Sequence, residues 1–360
     1  MKKNKTIEMA KISVCIPTFN RAKYLEELLD ILIKLLNQIY EIIVVDNNST
    51  DNTPELFKSE KYKNVKFFQN QENIGMVNNW NRCLELASGD YIIIVHDDDI
   101  ITKELFTEYQ IILNKYPNVD FIFSYAGIID ENGRNLGSYK TLKGNIVFPD
   151  PSLFILLLRE NFIHFSGILI KKDCYEEVGN FSNKYSLYSD LDMWLRISLC
   201  HKAIYRDKLL YYYRVHSKSE HSKILQQRIL AEKLSVLKTS YALVNSNVKN
   251  YKQIKQLIEL YYRYKFREYF KKYNVIKNSK DYTRSIVKIS LKFYLIITLE
   301  FIKSFIQKPS IFETKSSQKG YYYPFRAFGI ILIFLKEYFN PPKVIGKVLF
   351  NLFKKMRVYF

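Results

Sequence analysis

Short apolar runs alternate with longer stretches of helical periodicity in the first hundred residues. The apolar runs fall within residues 11–18, 41–46, 65–68 and 91–95. Runs of this length between polar turns are typical of buried strands, whereas leucines spaced three and four residues apart indicate an amphipathic helix. Those leucines are Leu25, Leu28, Leu29, Leu32, Leu35 and Leu36. The repeated strand-helix order predicts an α/β fold with a mainly parallel sheet flanked by helices.

Two of the helices have polar residues where they are predicted to begin. Asn20 follows the first strand and is a candidate N-cap, because its side chain can accept a backbone N–H of the first turn. Asp190 precedes a second helical pattern, and one interpretation of it is likewise as the N-cap of that helix. The apolar residues of that second pattern are Leu191, Trp194, Leu195 and Ile197.

Carboxylates gather where two predicted strands end. One run ends in Asp46, and the last is followed by His96, Asp97, Asp98 and Asp99. In open α/β sheets ligands bind at the carboxyl ends of the strands, so we expect these side chains to share one edge. Adjacent carboxylates stay ionised only beside a positive group, and Mg²⁺ or Mn²⁺ are natural candidates. Taken alone, the triplet is equally compatible with a solvated acidic turn.

Charge is distributed unevenly along the chain. Residues 1–220 contain 27 Lys and Arg against 29 Asp and Glu, whereas residues 221–360 contain 28 against 7, so the net charge of +19 comes entirely from the second part. A basic excess of this kind favours an anionic membrane surface. We expect no nucleic-acid partner, because no recognised nucleic-acid-binding module accompanies the charge.

Seven motifs follow one another through residues 11–220. They read VCIPTFNR, VVDNNSTD, ENIG continuing through Asn81 to ASGDYI, HDDD, HFSG, YSDLDMWLR and YYYRVH. With these motifs the region resembles the catalytic domain of a family 2 glycosyltransferase with the GT-A fold, of the bacterial surface-polysaccharide type. The resemblance implies transfer of a sugar from a nucleotide-sugar to an acceptor hydroxyl, with inversion of the anomeric configuration.

The implied chemistry needs a cation and a base. A nucleoside diphosphate leaving group develops negative charge, which Mn²⁺ or Mg²⁺ neutralises electrostatically. The acceptor hydroxyl needs a general base on the opposite face of the sugar. A single displacement forms no covalent enzyme intermediate, so no Ser or Cys nucleophile is expected. The implied donor is UDP-linked, and the implied acceptor is a glycan or a polyprenyl-linked acceptor.

The resemblance also implies roles for individual residues. Asp46 takes the position that contacts uracil and ribose. The family's Asp-x-Asp-Asp pattern aligns with residues 96–99, so His96 stands where a carboxylate is usual and Asp97 is the substitute for ribose binding. The implied donor-binding residues are Thr18, Asp46, Asn81, His96, Asp97 and Arg214, and the implied metal ligands are Asp98, Asp99 and His216. A structural hydrogen bond at the strand end is an equal alternative for His96.

Asp190 is the candidate general base. It falls where the family has the second residue of a Glu-Asp pair, although Ser189 replaces the first. Asp192 is the alternative base, but in a helix it would point away from Asp190. In the last motif, His216 is implied as a ligand of the metal or diphosphate, and Arg214 as a phosphate contact.

The chain is predicted to have two regions. Residues 1–220 form the catalytic domain, with a nucleotide-sugar half at about 1–110 and an acceptor half at about 111–220. Residues 221–360 form a basic, aromatic-rich helical region. Its last stretch has apolar residues at helical spacing between lysines: Ile345, Val348, Leu349, Leu352, Phe353 and Met356. Such a helix suits an anionic membrane surface, and a helix packed on the catalytic domain is the alternative.

We expect a cytoplasmic protein held peripherally on the inner face of the cell membrane. The apolar stretches at 293–298 and 327–335 are shorter than the roughly 20 residues that span a bilayer, and the first residues lack the apolar core of a signal peptide. Four scattered cysteines show no metal-binding spacing and favour a reducing compartment.

Two other functions are weighed against glycosyl transfer. A nucleotidyltransferase on a related sheet is disfavoured because the glycine-rich phosphate loop expected there is missing, as is the GxGxxG of a dinucleotide enzyme. A non-catalytic glycan- or membrane-binding homologue stays open because His96 and Ser189 depart from the family pattern.

Overall fold

The computed structural model describes residues 9–148, 151–216 and 226–244, and residues 251–259 apart from 253 and 257. The strands in these residues are β1 (Ile12–Thr18), β2 (Glu41–Asp46), β3 (Val65–Gln69), β4 (Tyr91–Ile94), β5 (Ile100–Ile101), β6 (Phe121–Ile129), β7 (Asn135–Tyr139), β8 (Ile146–Phe148), β9 (Ile168–Lys171) and β10 (Ala203–Arg214). The α-helices are α1 (Ala22–Leu32), α2 (Thr53–Leu56), α3 (Met76–Leu86), α4 (Leu105–Lys115), α5 (Ser152–Arg159), α6 (Lys172–Val178), α7 (Ser189–Cys200) and α8 (Gln226–Leu243).

The sheet is mixed, with six of its ten strands running in one direction, and it confirms the predicted α/β class. Its strand order is β3-β2-β1-β4-β9-β6-β10-β5, with β7 paired to β6 and β8 to β10. Strands β3, β2, β1 and β4 are parallel, β9 is antiparallel to β4 and β6, and β10 is parallel to β6. The carboxyl ends of β1, β2, β3, β4, β6 and β10 therefore lie at one edge of the sheet.

Helices cover both faces of the sheet. Every residue of β1, β2 and β4 is buried, which explains why these strands are continuous apolar runs and not alternating ones. The buried leucines of α1 pack on one face together with Phe106 and Tyr109 of α4. Trp80 of α3, Phe154 of α5 and Trp194 of α7 pack on the other face.

The start of α1 differs from the prediction. Asn20 has a left-handed φ of +54°, and its side-chain oxygen accepts a hydrogen bond from Thr50 N at 2.7 Å. The first-turn N–H of Ala22 donates instead to Asp51 Oδ2 at 2.9 Å. The N-cap prediction for Asn20 is therefore wrong, because a carboxylate from the loop after β2 takes that position in three dimensions.

Helix α8 packs against the segment that leads into α7. The Glu232 carboxylate accepts hydrogen bonds from Ser186 N at 3.0 Å and Leu187 N at 2.8 Å, and the Tyr185 and Thr239 hydroxyls lie 2.6 Å apart. Further buried side chains extend the same hydrophobic core: Val236, Leu237, Val244, Ile254 and Ile258. The core thus continues past residue 220, and in this part of the basic region the helix packs on the domain.

None of the described helices combines the length and the hydropathy that a membrane span requires. The apolar stretches at 293–298 and 327–335 and the amphipathic pattern at 345–356 lie outside the described residues.

Candidate active site

The strand ends bring the predicted nucleotide-side residues together. Thr18 is the register partner of Asp46 across β1 and β2, and Thr18 Oγ1 donates to Asp97 Oδ2 at 2.7 Å. Asp97, Asp98 and Asp99 follow β4 and are 2%, 8% and 3% exposed, so they form a buried cluster and not a solvated turn. The structure therefore places the carboxylates at one edge of the sheet, as the sequence predicts.

Asp46 is fully buried, and protein groups donate to both of its oxygens. Ser49 N donates to Oδ1 at 3.1 Å, and Gln69 Nε2 donates to Oδ2 at 2.9 Å. Beside it lies a set of mutually hydrogen-bonded asparagines: Asn47, Asn70, Asn73 and Asn79. The sequence analysis missed this set, although the motifs VVDNNSTD and ENIG contain two of its members. It fixes the loops next to the edge where nucleoside binding is predicted.

Arg21 is the main site residue that the sequence analysis missed. Its Nη1 donates to Asp97 Oδ1 at 2.9 Å and to Asp98 Oδ2 at 2.7 Å, which places a positive charge between two carboxylates. Burial raises the pKa of Asp97 to about 6, against the opposing charge of Arg21. The one sequence signal for Arg21 is its place at the end of the motif VCIPTFNR.

Asp98 is held by His216 as well. His216 Nε2 lies 2.9 Å from Asp98 Oδ2, and the His216 ring packs 5.6 Å from the ring of Tyr24. Burial raises the pKa of Asp98, but the hydrogen bond to His216 and the charge of Arg21 bring it below its ordinary value overall. Asp98 is thus an ionised carboxylate, the state that a cation ligand requires.

Asp99 is fixed by groups from two other segments. It accepts hydrogen bonds from the Ser166 hydroxyl and from Arg214 N, the latter at 3.0 Å. Burial and the charge of Asp98 raise the pKa of Asp99 well above its ordinary value. A cation at this position would offset both effects, because it favours the ionised form.

The Arg214 side chain is 2% exposed and contacts protein groups. Its Nε donates to Asp98 O at 2.8 Å, and its Nη2 donates to Glu27 Oε2 at 2.8 Å. The guanidinium also lies 4.8 Å from the centre of the Tyr24 ring. The side chain therefore positions the loop that carries Asp98, and the phosphate contact of Arg214 stays a prediction.

His96 packs in a cluster with two aromatic rings, at 5.6 Å from Trp80 and 4.6 Å from Phe165. Burial lowers the pKa of His96 to about 4, so the imidazole is neutral, and its Nε2 has no hydrogen-bond partner within the described part of the chain. Ligand atoms of His96, Asp98 and Asp99 lie within 4.8 Å of one another. Two carboxylates and a neutral imidazole with an unused nitrogen fit a divalent cation.

Asp190 lies in the first turn of α7, which begins at Ser189 with Tyr188 as its N-cap, so the capping interpretation is wrong for Asp190. Asn161 Nδ2 donates to Asp190 Oδ2 at 2.9 Å, and Leu191 N donates to Oδ1 at 2.6 Å. Burial raises the pKa of Asp190 to about 6.

The neighbouring acidic and amide candidates have structural partners. Asp192 is 4% exposed and pairs with Arg196 Nε at 3.0 Å, and Arg196 also donates to backbone oxygens before α7. Asn81 Nδ2 donates to Phe181 O at 3.0 Å, and Asn81 Oδ1 accepts from Phe181 N at 2.8 Å. These contacts assign Asp192 and Asn81 to holding the chain between α6 and α7; donor binding by Asn81 stays a prediction.

Residues 13–179 match the model of the family described as glycosyl transferase family 2. A glycosyltransferase of Streptococcus pneumoniae serotype 4, GlyG, is 30% identical over 220 residues, which cover 58% of this chain and 72% of that protein. An uncharacterized glycosyltransferase of Rickettsia felis is 29% identical over 234 residues, which cover 64% of this chain but 38% of that longer protein.

Two solved structures share the architecture. S. aureus TarS 1–349 in complex with UDP-GlcNAc matches with a TM-score of 0.58 at 19% identity, over 80% of this chain and 81% of that one. A mannosyltransferase from Pyrobaculum calidifontis in complex with GDP-Man and Mn²⁺ matches with a TM-score of 0.50 at 14% identity, over 93% and 89%. This likeness confirms the predicted fold.

Proposed function

The chain belongs to glycosyltransferase family 2 and has the GT-A fold, and from this premise we propose that it moves a sugar from a UDP-linked donor to a hydroxyl of a glycan or lipid-linked acceptor, with inversion. Glycosyl transfer itself follows from the family. The choice of a nucleotide-sugar donor is supported by the two structural neighbours, which were solved with UDP-GlcNAc and with GDP-Man. The choice of uridine rests on the motif resemblance.

The grouping of His96, Asp98 and Asp99 carries the proposal. We propose that these residues hold a divalent cation, and that Mn²⁺ suits them better than Mg²⁺ because one ligand is an imidazole. When bound, the cation stabilises the negative charge that develops on the diphosphate leaving group. His216 supports Asp98 from outside this group, and the Ser166 hydroxyl supports Asp99, so the ligand oxygens are held in place beforehand.

The donor lies on the β1 and β2 side of the cation in this proposal. Thr18, Asp46 and Asp97 line that edge, and carboxylates are suitable acceptors for ribose hydroxyls. The Arg21 side chain is 28% exposed, so this guanidinium, and not that of Arg214, is placed to pair with a phosphate oxygen.

Asp190 is the proposed general base. Its pKa of about 6 leaves it ionised at neutral pH yet basic enough to accept a proton from a hydroxyl in the transition state. Asn161, which holds Asp190, and Ser166, which holds Asp99, belong to one short segment between α5 and β9. This segment ties the base to the cation cluster. The acceptor hydroxyl gives its proton to Asp190. At the same time the hydroxyl oxygen bonds to the anomeric carbon of the sugar, and the bond from that carbon to the nucleoside diphosphate breaks.

A donor screen tests the proposal. The full chain is mixed with a panel of UDP- and GDP-sugars, with and without Mn²⁺, and its melting temperature and the release of nucleoside diphosphate are measured. We expect one UDP-sugar to raise the melting temperature only when Mn²⁺ is present, because a ligand that binds the folded state stabilises it. If no nucleotide-sugar does so at saturating Mn²⁺, the proposal is contradicted.

We also propose that the protein acts at the cytoplasmic face of the cell membrane, held there peripherally. The support is the composition of residues 221–360, which carry the whole basic excess of the chain.

A further inference from the structure

A second group of metal-ligating side chains lies at the opposite edge of the sheet. Asp120 directly precedes β6, Cys174 lies on α6 after β9, and His201 precedes β10. Because β6 and β10 are parallel and β9 is antiparallel to β6, all three residues come to the edge where β6 and β10 begin. That edge is remote from the carboxyl ends that carry His96 and the three aspartates.

Two of the three distances between ligand atoms in this group match those of a tetrahedral zinc centre. Cys174 Sγ lies 3.5 Å from His201 Nδ1, and His201 Nδ1 lies 3.6 Å from Asp120 Oδ2. With a Zn–S bond of about 2.3 Å and Zn–N and Zn–O bonds of about 2.0–2.2 Å, tetrahedral ligands are separated by roughly 3.4–3.6 Å. Ligand atoms of all three residues lie within 4.8 Å of one another.

The surroundings supply the outer contacts that zinc ligands usually have. His201 Nε2 lies 3.4 Å from Oε2 of the exposed Glu177, so a small movement of that side chain gives the carboxylate-histidine pair that orients a zinc-bound ring. Lys202 N donates to Asp120 Oδ2 at 3.2 Å and so orients that carboxylate. Cys174 is 1% exposed, while the Asp120 side chain is 23% exposed and leaves a route from solvent.

We propose that Asp120, Cys174 and His201 form a Zn²⁺ site, with water as the fourth ligand, that fastens α6 and the α7–β10 loop to the start of β6. Thiolate and imidazole ligands select Zn²⁺ over Mg²⁺ and Mn²⁺, so this site and the carboxylate-rich one take different ions. On binding, the Cys174 thiol gives up its proton to the solvent and the sulfur bonds to the metal. The site is independent of the proposed transferase function. The alternative explanation of these contacts is a hydrogen-bond network among the same side chains without a metal.

A cobalt titration distinguishes the zinc site from the hydrogen-bond network. The full chain is first treated with a chelator to remove bound metal. Co²⁺ takes the place of Zn²⁺ and reports sulfur ligation by a thiolate-to-metal charge-transfer band. We expect this band to grow until the site is filled, at one equivalent of Co²⁺ in Asp98→Asn, where the carboxylate-rich site is impaired, and to disappear when Zn²⁺ is added. The band should persist in Asp98→Asn, because the His96, Asp98 and Asp99 cluster contains no sulfur. A folded protein that gives no such band would overturn the proposal and leave the hydrogen-bond network.

Variants assign the ligands. Cys174→Ser should abolish the band, and Glu177→Gln should keep its shape but weaken Co²⁺ binding about 10–100-fold, as loss of an outer partner does. Cys200→Ser and Asp173→Asn, at the positions next to His201 and Cys174, should bind like the wild type. Loss of the band in either of these two controls, or its retention in Cys174→Ser, would contradict the assignment. If Cys174→Ser does not fold, His201→Asn tests the same prediction.

Discussion

Arg21 Nη1 donates a hydrogen bond to Asp98 Oδ2 at 2.7 Å, across 77 positions of sequence. The same nitrogen reaches Asp97 Oδ1 at 2.9 Å, so the motif VCIPTFNR supplies the counter-charge for the motif HDDD. Buried carboxylates without such a partner would take up protons. The candidate active site therefore contains its own counter-ion, and a bound Mn²⁺ would offset the negative charge of the acidic cluster together with Arg21.

Replacing Arg21 should make the folded state more dependent on metal. We expect Arg21→Met to lower the free energy of unfolding of the metal-free protein by about 1–3 kcal/mol, below the 3–5 typical of a fully buried pair because Arg21 is partly exposed. Mn²⁺ should then raise the melting temperature more in the variant than in the wild type. Thermal melts with and without Mn²⁺ measure both effects. Arg82→Met, which breaks an exposed ion pair with Glu85, is the control; an equal loss there would contradict this account.

Removing the proposed base should slow catalysis without weakening donor binding. Asp190→Asn keeps the size of the side chain but cannot accept the acceptor proton, so we expect kcat to fall by about 10²–10⁴-fold. The donor dissociation constant should change little, because Asp190 contacts the acceptor in this mechanism. Steady-state kinetics together with calorimetric donor binding check the prediction.

Asp192→Asn is the matched control for that experiment, two positions away on the same helix. It breaks the ion pair with Arg196, so we expect a lower melting temperature and a kcat near that of the wild type. The opposite pattern, with kcat lost in Asp192→Asn and kept in Asp190→Asn, would transfer the role of base to Asp192.

The pH dependence of the reaction should report Asp190. Because burial raises its pKa to about 6, Asp190 is protonated and inactive below that pH and ionised above it. We expect kcat to rise about tenfold per pH unit up to pH ~6 and then level off. Asp97 titrates in the same range in the absence of metal, but a bound cation lowers its pKa, so saturating Mn²⁺ separates the two groups. If the residual kcat of Asp190→Asn still falls below pH ~6, another group is responsible for that pH dependence.

Hydrophobic periodicity predicted the first four strands and the first helix because local spacing determines which residues can face the core. The predicted strand at 91–95 ends within one residue of the observed β4. Asn20 was assigned wrongly because the partner of the helix start, Asp51, comes from a different loop. Arg21 was missed for the same reason, because its acceptors Asp97 and Asp98 lie in a distant segment. The backbone and carboxylate acceptors of Arg214 could not be predicted from the sequence either, since they also come from distant segments.

The basic region should bind anionic membranes. Its net charge of +21 comes from 28 basic and 7 acidic residues, and each Lys or Arg near an anionic surface contributes roughly 1 kcal/mol, screened by salt. We expect the protein to co-sediment with anionic vesicles at low salt and to be released as salt rises. Replacing Leu349, Leu352 and Phe353 by Ser should release it even at low salt, whereas Asn351→Ser should not. If the wild-type protein does not co-sediment with anionic vesicles at low salt, the membrane prediction is wrong. Packing on the domain, as seen for α8, or self-association would then explain this region better.

The central claim is that the Asp98 carboxylate holds a catalytic cation. Its most direct measurement is Mn²⁺-dependent UDP-sugar binding and turnover in Asp98→Asn, with the exposed Glu85→Gln as control. We predict that Asp98→Asn keeps the wild-type circular dichroism spectrum, binds donor no more tightly with Mn²⁺ than without it, and loses roughly 10²–10³-fold or more in turnover, while Glu85→Gln behaves like the wild type. Near-wild-type turnover of Asp98→Asn at limiting Mn²⁺ would contradict the claim.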